Sequence, residues 1–190
     1  MKSVAVFCGA RHGNRPAYAA AARELGAELA KRDLTLVYGG GHVGLMGVVA
    51  DACLAAGGKV VGVIPDFMVA RELAMPGLTE LHVTDSMHTR KAQMADRADA
   101  FIALPGGFGT LDELFEILTW RQIGLHGKPI GLLDVDGYYS GLKSFVARAV
   151  EEGFVGETES TFLQMQETPA KLLDDLALLP QGGEGAWARV

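Results

Sequence analysis

Cysteine is scarce: Cys8 and Cys53 are the only two in 190 residues. Two thiols cannot build a disulfide framework, nor a zinc site on their own. Both stand in apolar runs and read as small buried side chains, so a reducing, cytoplasmic setting fits. A long hydrophobic run is missing too. The most apolar stretch, residues 43–64, is broken by Asp51, Lys59 and several glycines, whereas a membrane-spanning helix needs about 20 mostly apolar residues. The first eight residues imitate a signal peptide, but Arg11 and His12 follow at once, and a first β-strand is the better reading. Positive charge is in deficit, with 17 Lys and Arg against 23 Asp and Glu and a net charge of −6. That balance argues against wrapping nucleic acid or lying on an anionic membrane, while leaving room for one local basic pocket. The sequence has no internal repeat and no linker that would divide it into domains.

What is present is an ordinary globular composition, 49% hydrophobic and 21% charged. The length points to one domain able to bury about two thirds of its unfolded surface without staples. Glycine is the exception: 25 residues, or about 13%, against a usual ~7%. The glycines cluster between apolar runs, where backbone serves as a ligand or adopts unusual dihedrals.

Strand and helix signals alternate from end to end. Strands are expected at residues 3–8, 35–38, 59–64, 78–84, 100–104, 129–133 and, weakly, 162–165. Helices are expected at 16–31, 43–56, from a cap at Asp85 or Ser86 to 98, from 110 to about 124, at 138–152, and from Thr168-Pro169 to about 179. Residues 65–77 read as a loop or broken helix. Continuous apolar strands separated by helices predict a parallel sheet of about seven strands covered on both faces, an α/β fold. A single domain over residues 1–180 and a loose tail at 181–190 follow. The helices at 43–56 and 111–123 are apolar nearly all round, which predicts burial on both sides and a contact between copies of the chain.

Ligands of open parallel sheets bind at the carboxyl ends of the strands. The segments after the first, second and fifth strands therefore share one edge: Gly9-Ala10-Arg11, Gly39-Gly40-Gly41, and Pro105 to Thr110. Gly39, Gly41 and Gly44 spell the G-x-G-x-x-G pattern of dinucleotide sites, but the ribose-holding acid has only Asp66 as a candidate, in a loop after Pro65. A tight turn with close helix packing explains the same glycines. Pro105-Gly106-Gly107-Phe108-Gly109-Thr110 is sharper, because a glycine turn from a buried strand into a helix presents backbone N–H groups to an anion. A mononucleotide phosphate suits it, since the lysine of a triphosphate loop is absent. Thr110-x-x-Glu113 has the form of a helix capping box, and Arg90-Lys91 could be a solvated helix face. Alternatively, the two cations balance a carboxylate held beside a phosphate.

The segment Ser86-Met87-His88-Thr89-Arg90-Lys91, followed by Pro105-Gly106-Gly107-Phe108-Gly109-Thr110-Leu111-Asp112-Glu113, resembles the LONELY GUY (LOG) family of cytokinin riboside 5'-monophosphate phosphoribohydrolases, often labelled lysine decarboxylases. Gly39-Gly40-Gly41-His42-Val43-Gly44-Leu45-Met46-Gly47 is similar to that family's glycine loop, and the likeness runs from about Val4 to Gly153. The resemblance implies a Rossmann-like fold, a homodimer, no cofactor, and hydrolysis of a nucleoside 5'-monophosphate to free base and ribose 5-phosphate. It makes Arg90 and Glu113 catalytic. Lys91, Gly107, Phe108, Gly109, Thr110, Leu111 and Asp112 would surround the phosphate and ribose, with further contacts at Glu72 and Thr119. The chain departs from the family pattern at Ala10-Arg11, where serines are usual, and at Phe108, where tyrosine is usual. His88, Met87 and Phe108 are candidates for the base pocket.

Cleaving the N-glycosidic bond builds positive charge on the ribose, which an ionised carboxylate stabilises while activating water. Glu113, in a first helical turn near Arg90, is expected to have a lowered pKa. Water and Asp112 are the candidate proton donors to the leaving base. Two other readings compete: a nucleotide-binding protein of the same fold without catalysis, and a dinucleotide-dependent oxidoreductase. A lysine decarboxylase is disfavoured, because the glycine loop supplies no Schiff-base lysine and Lys91 is the one lysine nearby.

Overall fold

The computed structural model describes residues 1–69 and 74–180; the tail expected at 181–190 lies outside them. Seven strands, β1 (Ser3–Phe7), β2 (Thr35–Tyr38), β3 (Val60–Pro65), β4 (Glu80–Thr84), β5 (Ala100–Ala103), β6 (Ile130–Leu133) and β7 (Leu163–Gln166), form one sheet in the order β4-β3-β2-β1-β5-β6-β7. Every pairing is parallel. The order reverses between β1 and β5, and a crevice opens at such a reversal, outside the carboxyl ends of the strands.

Among the described residues eight α-helices flank the strands, α8 following the last of them: α1 (Pro16–Lys31), α2 (Gly44–Ala55), α3 (Asp66–Val69), α4 (Met87–Arg97), α5 (Phe108–Gln122), α6 (Ser140–Glu151), α7 (Glu157–Ser160) and α8 (Pro169–Leu178). Pro16 and Pro169 open their helices, where a missing N–H costs nothing. Ser86 caps α4 by accepting from the Thr89 N–H at 3.1 Å, which settles the choice between Asp85 and Ser86. The short helix α7 carried no sequence signal.

Two cores result, one on each face. The first joins α1, α2 and α8 through Leu25, Leu29, Leu45, Val49, Leu172 and Leu176 to Val4, Val6 and Leu36 of the sheet. The second joins α4 and α5 through Met94, Leu114 and Ile117 to Ala5, Val37, Phe101 and Ile130. Strands lodged between the two are apolar on both sides, hence their unbroken hydrophobic runs. Both cysteines are buried free thiols.

The expectation that both apolar helices are buried all round holds better for α2 than for α5. On α2, Leu45, Val49, Ala50 and Cys53 are buried and Asp51 faces solvent. Its contact with α1 is close enough that a Cβ at Gly26 would lie 2.4 Å from the Val49 carbonyl oxygen. On α5 only one side is covered: Thr110, Glu113, Leu114 and Ile117 are buried, but Phe115 and, just past the helix end, Ile123 are exposed. No helix among the described residues is long and apolar enough to cross a membrane.

Candidate active site

The carboxyl ends of β1 and β5 diverge into a cavity of about 730 Å³, within the usual size range for a small-molecule site. Cys8 to Gly13 form one wall, and Pro105 to Thr110 with Asp112 and Glu113 another. Arg90 reaches it from α4, and Tyr18, Leu45, Met46, Met68, Met87 and Tyr138 complete the lining.

Arg90 and Glu113 form the polar centre. Arg90 donates from Nη1 to Glu113 Oε1 at 2.8 Å and from Nε to the Val63 carbonyl at 3.1 Å. Their side chains are 8% and 11% exposed, so the ion pair is desolvated yet borders the cavity. Gly39 makes this possible: a Cβ there would sit 1.9 Å from Arg90 Nη2. Gly44, at φ +59°, likewise admits the loop after β1, since its Cβ would lie 2.3 Å from the Ala10 carbonyl carbon. The G-x-G-x-x-G segment therefore works by close approach; of residues 39–44 none lines the cavity.

The expected lowering of the Glu113 pKa is overturned. Burial pushes its carboxyl above the ordinary value, and the nearby Arg90 charge and hydrogen bond only offset this in part. With α5 starting at Phe108, Glu113 lies in the second turn, and its enclosure there removes the water that would have favoured the ionised form. The capping box is absent as well. The cap position of α5 is Gly107, which has no side chain to give, and Thr110 lies inside the helix. Glu113 is thus free of the helix end and turned toward Arg90. The N–H groups of Phe108, Gly109 and Thr110, in the first turn, have no partner within the helix, and all three residues line the cavity.

Of the residues picked out in the sequence, Arg90, Gly107, Phe108, Gly109, Thr110, Asp112 and Glu113 come together around one space. Met87 also lines it, whereas His88 does not. Lys91 faces away, donating to Asp112 at 3.2 Å and lying 3.0 Å from Glu116. Burial pulls the Lys91 ammonium down, but the bonds to Glu116 and Asp112 outweigh it and hold its pKa above the ordinary value. Leu111 and Thr119 lie outside the lining. Thr119 donates to the Phe115 carbonyl at 2.7 Å, and at about 100° per residue its side chain leaves the helix roughly 120° from that of Glu113. Glu72 lies outside the described residues.

Tyr138 and Tyr139 escaped the sequence reading. They follow β6, and a parallel strand delivers its following loop to the same edge as β1 and β5; that direction was the available signal. The Tyr139 hydroxyl donates to the Leu104 carbonyl at 2.6 Å and the Tyr138 hydroxyl to the Gly106 carbonyl at 2.5 Å.

The family model described as "Possible lysine decarboxylase" matches residues 46–176. The cytokinin riboside 5'-monophosphate phosphoribohydrolase LOG1 of Arabidopsis thaliana is 52% identical over 157 residues, covering 83% of this chain and 74% of its own. The probable cytokinin riboside 5'-monophosphate phosphoribohydrolase LOGL2 of Oryza sativa subsp. japonica is 50% identical over 175 residues, covering 92% and 72%. Among solved structures, the molybdenum cofactor binding protein of Rippkaea orientalis superposes with a TM-score of 0.71 at 21% identity, covering 93% of this chain and 96% of that one. That likeness extends to the Rossmann-type fold. With about half its residues shared with the plant proteins across most of its length, the chain belongs to the LONELY GUY family.

Proposed function

We propose that the protein hydrolyses the N-glycosidic bond of a nucleoside 5'-monophosphate, AMP or an N6-modified AMP, releasing free base and ribose 5-phosphate. One observation carries the reading: a buried Arg90–Glu113 ion pair borders a nucleotide-sized cavity beside a helix start left without a cap. The relatives named above are phosphoribohydrolases of cytokinin riboside 5'-monophosphates.

The 5'-phosphate docks on the glycine turn at the α5 N-terminus, where backbone N–H groups and the helix dipole favour an anion. Anchoring there fixes the ribose, with Gly107, Phe108, Gly109, Thr110 and Asp112 around it, and places its anomeric carbon against Glu113. As the bond to the base lengthens, positive charge grows on the ribose. The Glu113 carboxylate stabilises that charge and takes a proton from the attacking water. Arg90, held by the Val63 carbonyl, keeps the carboxylate ionised against the pull of burial. Lys91 acts one layer back, tying α4 to α5 through Asp112 and Glu116.

A lysine decarboxylase needs a lysine in the cavity to carry a Schiff base, and the lining contains none. The working form is a homodimer joined through the open side of α5, where Phe115 and Ile123 are 39% and 64% exposed. A second copy on that face accounts for Thr119 as a ligand contact although it does not line its own chain's cavity. Two buried free thiols fit a cytoplasmic site of action.

Incubation with AMP and with isopentenyladenosine monophosphate, followed by chromatography, should show free base. Glu113→Gln should lower turnover by at least ~10²-fold while retaining nucleotide binding. Tight AMP binding by calorimetry without any base released would instead establish the non-catalytic nucleotide-binding protein.

A further inference from the structure

We infer that Tyr138 is a positioning residue for the phosphate site, acting through the Gly106–Gly107 peptide. The inference rests on the reading of the glycine turn as the phosphate site. Three successive carbonyls of that turn are each held by a different group. The Leu104 carbonyl accepts from the Tyr139 hydroxyl at 2.6 Å, the Pro105 carbonyl from the Gly9 N–H at 3.1 Å, and the Gly106 carbonyl from the Tyr138 hydroxyl at 2.5 Å. No peptide among the described residues is cis, and in a planar trans peptide the C=O of one residue points opposite to the N–H of the next. Holding the Gly106 carbonyl on Tyr138 therefore aims the Gly107 N–H the other way, away from the tyrosine. Gly107 is the cap residue of α5, so this donor stands directly ahead of the unpaired N–H groups of the first turn.

The two adjacent tyrosines divide the work by the identity of the next residue. The Leu104 carbonyl precedes Pro105, which has no N–H to aim. Tyr139, 2% exposed, thus braces the loop as part of the core. Tyr138 lines the cavity, is 42% exposed, and is held edge-on by Tyr18 at 5.6 Å and Tyr139 at 5.0 Å. Its ring is fixed by aromatic neighbours while its hydroxyl sets the direction of one amide.

Calorimetry with ribose 5-phosphate, steady-state kinetics with AMP, ¹⁵N spectra and thermal melts on the wild type, Tyr138→Phe and Tyr139→Phe test this. Tyr138→Phe should weaken ribose 5-phosphate binding by ~5- to 10-fold, less than the loss of a whole charge-assisted hydrogen bond, because the Gly107 amide is misaimed rather than removed. It should raise KM more than it lowers kcat, displace the Gly107 amide resonance already in the free protein, and leave the melting temperature in place. Tyr139→Phe should lower the melting temperature with ribose 5-phosphate affinity retained. If the wild type binds ribose 5-phosphate but Tyr138→Phe binds it equally well, or if both variants weaken it equally, the positioning role is overturned while the phosphate site stands. If the wild type does not bind ribose 5-phosphate, the phosphate reading itself falls.

Discussion

Glu113 is the residue at which burial and charge oppose each other most directly. Enclosure raises its pKa and Arg90 resists, so kcat/KM should fall on acidification through a pKa above the ordinary carboxylate value. Arg90→Met should push that limb higher still, because the opposing cation is gone; a pH–rate profile of both proteins checks the direction. The same shift fixes a stability slope. A carboxyl with a raised pKa binds its proton more readily when folded, so its contribution is fullest below the ordinary carboxylate value and is lost as pH rises through the folded one. Substitutions separate catalysis from folding. Gln at 113 keeps an oxygen for the Arg90 donor at 2.8 Å, whereas Glu113→Ala strands a buried guanidinium and should cost about 3–5 kcal/mol by chemical denaturation. At this scale the sequence exposed the pair through motif spacing, but not its electrostatics. The sign of a pKa shift depends on how much water the fold removes, and that is a property of packing.

His126 gives the stretch between α5 and β6 a pH limit. Its Nε2 lies 2.9 Å from the Ile117 carbonyl, and its Nδ1 accepts from the Lys128 N–H at 3.1 Å. Burial lowers its pKa to about 4. A histidine kept neutral in the fold stabilises above its unfolded pKa and loses that contribution as pH falls from about 6.5 toward 4. Protonation would set an N–H against the Lys128 amide. The loss should amount to roughly 3 kcal/mol over that window, and His126→Gln should flatten the denaturation midpoint against pH there. Element boundaries were legible because sheet burial and helix starts have local causes: α1 occupies Pro16–Lys31 as expected, and β2 Thr35–Tyr38. The two apolar helices were less legible. Composition showed that α2 and α5 were hydrophobic, but which sides α1 and the sheet would cover depended on topology. The paired tyrosines after β6 were invisible for a similar reason, since their partners lie more than thirty positions back along the chain and meet them only through strand order.

The assembled molecule opens its candidate site where the strand order turns, with the loops after β1 and β5 on two sides and side chains from α1, α2, α4 and α5 among those closing the rest. If the open side of α5 is closed by a second copy, Phe115→Glu should shift the mass seen by sedimentation from dimer to monomer and reduce activity with it, because Thr119 would no longer be presented across the interface. The helix that begins with glycine in place of a capping side chain has a consequence for the resting protein. Its first turn draws no acceptor from a capping side chain, so a sugar phosphate seated there supplies one that the chain itself does not. Heating the protein with a panel of sugar phosphates and watching which of them delays its melting would then rank ligands with no assay of turnover at all.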